Sequence, residues 1–71
     1  MPSTVIRSFT YRPDNRELEV TFVTDRRYVY YEVPSEVATD FRAAFSKGGY
    51  FNRYIRDRYV CVEIQVDVDS N

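Results

Sequence analysis

The chain is 71 residues long, which suffices for one small domain and no more. Hydrophobic residues make up 44% and charged residues 30%, a balance that folds rather than one that stays disordered. With no histidine and a single cysteine, the sequence excludes Ser–His and Cys–His nucleophile pairs, histidine-bearing metal sites and an internal disulfide.

Residues 4–11 (TVIRSFTY) are β-branched and aromatic, as a strand prefers. Pro13, Asp14 and Asn15 then supply turn chemistry: proline presets φ, and the other two tolerate tight or left-handed backbone. Residues 17–23 alternate, with Leu18, Val20 and Phe22 on one face and Glu17, Glu19 and Thr21 on the other. That period of two predicts a half-buried strand. The polar stretch 24–27 reads as a hairpin turn, and 28–33 (YVYYEV) as a third strand. Short turns between three strands predict an antiparallel meander.

The period then changes. Pro34, Ser35 and Glu36 form a helix start, since their chemistry suits a first turn with unpaired N–H groups. Val37, Phe41, Ala44 and Phe45 recur at helical spacing and predict the buried stripe. Gly48 is placed to end this helix in a left-handed conformation. A second helix is expected over 49–57, with Phe51, Tyr54 and Ile55 on one side. Val60, Val62, Ile64, Val66 and Val68 then alternate with polar residues and Cys61, predicting a strand over 60–68 with Val62 and Ile64 inward. Residues 69–71 are expected to fray. The predicted fold is α+β: an antiparallel sheet of three or four strands with two helices packed on one face, ordered β-β-β-α-α-β, as a single domain over 1–71.

Two stretches resemble a known family. Residues 28–34 (YVYYEVP) match a Tyr-x-Tyr-x-x-Val-Pro signature. Residues 44–56 (AFSKGGYFNRYIR) match an Ala-x-Ser-x-Gly-x-Tyr-Phe-Asn-x-x-Ile-Arg signature. Both resemble the KTSC domain, which is found at the C-terminus of some lysyl-tRNA synthetases and as free-standing bacterial proteins. The resemblance covers about residues 3–60. The sequence departs from it in the turn Asp25-Arg26-Arg27, where family members often carry glycine, in the run into Arg12-Pro13, and in a longer valine-rich tail. The resemblance implies a compact domain of strands and helices with no known catalytic role, in a family suspected of binding RNA. Nothing about aminoacylation carries over, because no synthetase body is present.

Charge is unevenly spread. Residues 1–40 carry a net −2, residues 41–58 a net +4 and residues 59–71 a net −3. The basic stretch reads either as a solvated helical surface or as a polyanion site. Its candidates are Lys47, Tyr50, Asn52, Arg53, Arg56 and Arg58. Arginine interleaved with tyrosine can hold phosphates and stack on bases. The competing reading makes Arg56 and Asn52 structural and Ser46-Lys47-Gly48-Gly49 a plain helix corner capped by Ser46. Tyr28 and Tyr30 share one face of the third strand, opposite Tyr31, Val29 and Val33. They are either a stacking platform for bases or part of the core. Cys61 reads as an inert thiol.

The expected function is a small non-catalytic binding module for RNA or another polyanion, acting with low sequence specificity through the basic and aromatic helix corner. The alternative is a protein-interaction module in which the valine-rich C-terminal edge strand pairs with another chain or with itself. No cofactor or metal is implied. Without a signal pattern or a long apolar run, the expectation is a cytoplasmic protein that avoids membranes.

Overall fold

The computed structural model describes residues 6–64. Three strands come first: β1 (Ile6–Arg12), β2 (Glu17–Phe22) and β3 (Arg27–Tyr30). Helix α1 (Ser35–Ala43) follows, then α2 (Lys47–Tyr50), which runs straight into a π-helical turn (Phe51–Ile55). Strand β4 (Cys61–Ile64) closes the order. The strands form one antiparallel sheet in the order β1-β2-β3-β4, so β1 and β4 are its edges. This is the expected β-β-β-α-α-β arrangement. Of the strand expected over 60–68, residues 65–68 lie outside the described residues, as do residues 4 and 5 of the first strand.

Register decides which side chains meet the helices. Phe9 faces Val20, which faces Tyr28, which faces Glu63. Tyr11, Leu18, Tyr30 and Cys61 form the next row. Cross-strand partners share a face, and this face carries the helices. Phe41 of α1 stacks on Phe9 at 4.3 Å between ring centroids. Phe51 meets Phe22 and Tyr30 edge-on at 5.4 and 5.6 Å. The core is built from Leu18, Val20, Tyr30, Phe41, Phe51 and Ile55, with Val33. The face of β3 that the helices cover is therefore the Tyr28 and Tyr30 face.

Several expectations are overturned. Val62 pairs with Val29 and stands on the open face, 53% exposed, while Cys61 and Glu63 take the helix side. Ile64, paired with Arg27, shares the face of Val62. Alternation reveals that one face is apolar but not which face the helices cover, and an edge strand can carry its valines away from them. Val33 leaves the face of Val29 and joins the core, because Glu32 takes a left-handed φ of 57° and turns the chain. Its N–H donates to the Arg16 carbonyl at 2.9 Å, and its carbonyl accepts from the Tyr11 hydroxyl at 2.6 Å.

The first helix ends earlier than its apolar spacing suggests. Ala44 is already extended (φ −64°, ψ 138°). Phe45 therefore leaves the stripe and is fully exposed, and Val37 and Ala44 are only half-buried. Gly48 does not end a helix. It lies inside α2, and no glycine among the described residues has a positive φ. The left-handed positions are Arg16, Asp25, Glu32 and Asp57, one at each reversal of the chain apart from the α1–α2 corner. At that corner Ser46 caps α2 by accepting from the Gly49 N–H at 3.1 Å. A Cβ on Gly49 would lie 3.0 Å from the Ser46 hydroxyl and would press on this cap. Tyr54, expected with Phe51 and Ile55, is about half exposed, because the wider π-helical turn shifts its face.

The two phenylalanines of the predicted stripe now separate. Phe41→Ala removes a fully buried ring and is expected to cost about 3–5 kcal/mol, enough to unfold much of a domain this small. Phe45→Ala is expected to change stability by less than about 0.5 kcal/mol. Thermal and urea unfolding of the two variants side by side checks both outcomes.

Candidate nucleic-acid interface

The π-helical turn positions the site. Its closing bond, from the Arg56 N–H to the Phe51 carbonyl at 2.8 Å, spans five residues rather than four. Phe51 and Ile55 are both buried, which pins the turn to the sheet. Arg56 then turns extended (ψ 129°), Asp57 takes a left-handed φ of 68°, and the Arg58 N–H closes on the Ile55 carbonyl at 3.0 Å. This reversal brings the chain back to the sheet edge as β4.

A cleft of about 540 Å³ lies between that reversal and the β2–β3 hairpin. Its size suits a small organic ligand. Phe22, Tyr28, Tyr30, Phe51 and Tyr59 give it an aromatic lining. Val23, Thr24 and Arg26 come from the hairpin, and Arg56, Asp57 and Cys61 from the opposite side. Tyr30 and Phe51 are buried and make the floor, whereas Phe22, Tyr28 and Tyr59 are half-buried and present ring surface. The hairpin holds its shape through two backbone bonds, Phe22 N–H to the Arg26 carbonyl (2.9 Å) and Asp25 N–H to the Phe22 carbonyl (2.8 Å).

The cleft gathers three of the sequence candidates, Tyr28, Tyr30 and Arg56. Of these, Tyr30 is only 5% exposed and serves as floor rather than as a free stacking ring. Arg58 lines a neighbouring cleft with Tyr31, Glu32, Tyr59 and Val60. The remaining candidates do not line the aromatic cleft. Lys47 Nζ donates to the Ala44 carbonyl at 2.8 Å and so ties down the α1–α2 corner. Tyr50 packs against Phe41 and Tyr54 at 5.8 and 4.7 Å. Asn52 Oδ1 accepts from the Arg56 guanidinium at 3.4 Å, one helical turn away. Arg53 is exposed. Sequence reasoning missed Arg26, Thr24, Asp57, Tyr59 and the exposed Cys61 as cleft residues. The one available signal was the pair of arginines in the β2–β3 turn.

Electrostatics favour a neutral floor. Burial pushes the Tyr30 phenol well above the ordinary tyrosine range. The adjacent Cys61 thiol and Tyr28 add to the shift, while Arg56 opposes it. Burial also raises Tyr50, with Asp40 next in effect. Among the described residues no three Cys, Asp or Glu side chains gather as metal ligands would. No helix among them is long and apolar enough to cross a membrane.

Comparison with known proteins agrees with this architecture. The family model of the KTSC domain matches residues 2–59. The chain belongs to the KTSC domain family. The crystal structure of a KTSC domain protein from Yersinia pestis superposes with a TM-score of 0.84 at 37% identity, covering 92% of each chain. A protein of Tsukamurella paurometabola is 36% identical over 62 residues, which is 87% of this chain and 92% of that protein. A lysine–tRNA ligase of Nostoc punctiforme is 34% identical over 55 residues. This KTSC domain covers 78% of its own length in that match but only 10% of the ligase.

The raised Tyr30 phenol has a consequence for stability. In the unfolded chain tyrosine ionises near pH 10, while folded Tyr30 keeps its proton to higher pH. The folded state then binds more protons than the unfolded state, so stability is full below about pH 10 and falls as pH rises through and beyond it. Tyr30→Phe is expected to flatten this alkaline decline. Urea unfolding between pH 8 and 11.5 measures the difference.

Proposed function

We propose that this KTSC domain is a non-catalytic binding module for single-stranded RNA. The observation that carries the reading is the convergence of Arg26 and Arg56 on one cleft with half-buried aromatic rings. Rings accept the face of any base, and guanidinium groups attract the phosphates on either side of it. Arg26 is mostly exposed, and among the described residues its one ion pair is a long one to Glu63, at 3.9 Å. Lys47, Arg53 and Arg58 lie outside the lining of this cleft and add to the net positive charge of residues 41–58. Tyr50 and Asn52 support the helical segment, Tyr50 by packing on Phe41 and Asn52 by accepting from Arg56. The likeness to a segment of a lysine–tRNA ligase, an enzyme whose name states that it acts on tRNA, adds weight. The domain is read as cytoplasmic on the same ground.

A second reading rests on β4. Among the described residues this edge strand has no neighbour on one side, and Val60 and Val62 are 73% and 53% exposed. Another chain, or a second copy of this one, could add a strand there. Val62→Lys is expected to abolish such association while leaving the core intact. Sedentary monomers at every concentration in light scattering, with or without the substitution, would dismiss it.

The RNA reading is tested by NMR titration with a short single-stranded RNA at low salt, repeated as salt rises. Shifts are expected at Tyr28, Arg56 and Tyr59. For single strands the slope of log affinity against log salt is about −0.7 per phosphate neutralised. Arg26→Gln is expected to flatten it by about 0.7 units. Tyr28→Leu is expected to lose about 1–3 kcal/mol of stacking at every salt concentration, with the slope unchanged. If neither RNA nor DNA shifts the cleft resonances at low salt, the reading fails and the strand-addition reading takes its place.

A further inference from the structure

Arg56 and Asp57 are consecutive and both line the cleft. No ion pair among the described residues involves either of them. Arg56 donates a long hydrogen bond to Asn52 Oδ1, at 3.4 Å. A carboxylate is out of place in a site that serves phosphates alone, since it repels them. It is also held there by a left-handed backbone that few residues adopt without cost. The backbone on both sides is fixed, by the π-helical closure before it and the Arg58 bond after it. The lining of the cleft thus includes a carboxylate residue and a guanidinium residue adjacent in the chain, together with an aromatic floor.

We infer that the cleft selects guanine, with the Asp57 carboxylate accepting from the N1–H and the 2-amino group of a base stacked against Tyr28 or Tyr59. The inference rests on the RNA reading above and deepens it. Guanine alone among the four bases offers two adjacent donors on one edge, which a carboxylate accepts as a pair. Adenine and cytosine offer a single amino group beside an acceptor, and uracil a single imino N–H between two acceptors. A carboxylate facing those edges meets at least one lone pair, which is repulsive. Guanine also carries O6 and N7 as acceptors, the atoms an arginine fork engages in pairs. Arg56 is the cation next to Asp57 and is suited to O6, while Arg26 remains for phosphate.

The test uses the trinucleotides UGU, UAU, UCU and UUU, titrated into the whole chain at one low salt concentration. UGU is expected to bind roughly five- to a hundredfold more tightly than UUU, the range of one good bidentate pair. Replacing its guanine by hypoxanthine, which lacks the 2-amino group, is expected to remove most of that preference. Asp57→Asn is the protein-side control. Asparagine tolerates the left-handed backbone, so the fold survives, but its amide offers one acceptor and one donor in place of two acceptors. Its guanine preference is expected to fall below about twofold, with UUU binding unchanged or slightly tighter because a negative charge is gone. If all four trinucleotides bind alike, or if Asp57→Asn keeps the preference, the inference is overturned while the RNA reading stands. If none binds, both fall together.

Discussion

Phe51 meets Phe22 and Tyr30 edge-on, and the placement of everything after it depends on that contact. The ring is the junction between α2 and the sheet. It lies at the start of the π-helical turn, so pinning it also sets where that turn ends. Ile55, four residues on, is buried in the same core. Edge-to-face rings have a preferred geometry as well as a large buried area, so they constrain angle as well as distance. Phe41 holds the other side of the helical layer through its stack on Phe9 and its contact with Tyr50. A thin core of this kind has little redundancy. The aromatic residues compensate by contributing much of the contact between layers.

The same contact produces the cleft. With Phe51 and Ile55 fixed, the chain reverses through Arg56 and Asp57 to reach β4. The reversal stands away from the β2–β3 hairpin, and the gap is lined by Phe22, Tyr28, Tyr30 and Phe51, rings already packed on one another. Core and site are therefore not separate here. Tyr30 packs against Phe51 and stands opposite Cys61 in the pairing of β3 with β4. Its buried phenol stays neutral, which keeps the floor free of negative charge in a site read as anion-binding.

Much of the site was only partly legible. Tyr28, Tyr30 and Arg56 stand in family-like stretches and were identifiable as candidates. That they converge was not, because they come from a strand and from the end of a helix far along the chain. Lys47 looked like a phosphate contact by its place before a glycine pair, yet its ammonium is engaged by the Ala44 carbonyl. Arg26 and Asp57 gave little sign of importance, since a turn arginine and an acid among arginines both read as solvated surface. Left-handed backbone was equally hard to place. The glycines invited it, but Arg16, Asp25, Glu32 and Asp57 adopt it, each where the chain must reverse and tertiary contacts repay the cost.

By itself the sequence determined the class of fold, the order of its elements and most of the core. Period-two alternation in β2 and helical spacing around Phe41, Phe51 and Ile55 are local properties, and local sterics and burial enforce them. Tertiary structure alone decided three things. It ended α1 before Phe45 and so left that ring in water. It turned Val62 of β4 to the open face, because register is set by pairing with β3 and not by the strand's own alternation. It brought Arg26, Arg56 and Asp57 to one cleft, because only packing of a helix end against a hairpin can join residues thirty positions apart.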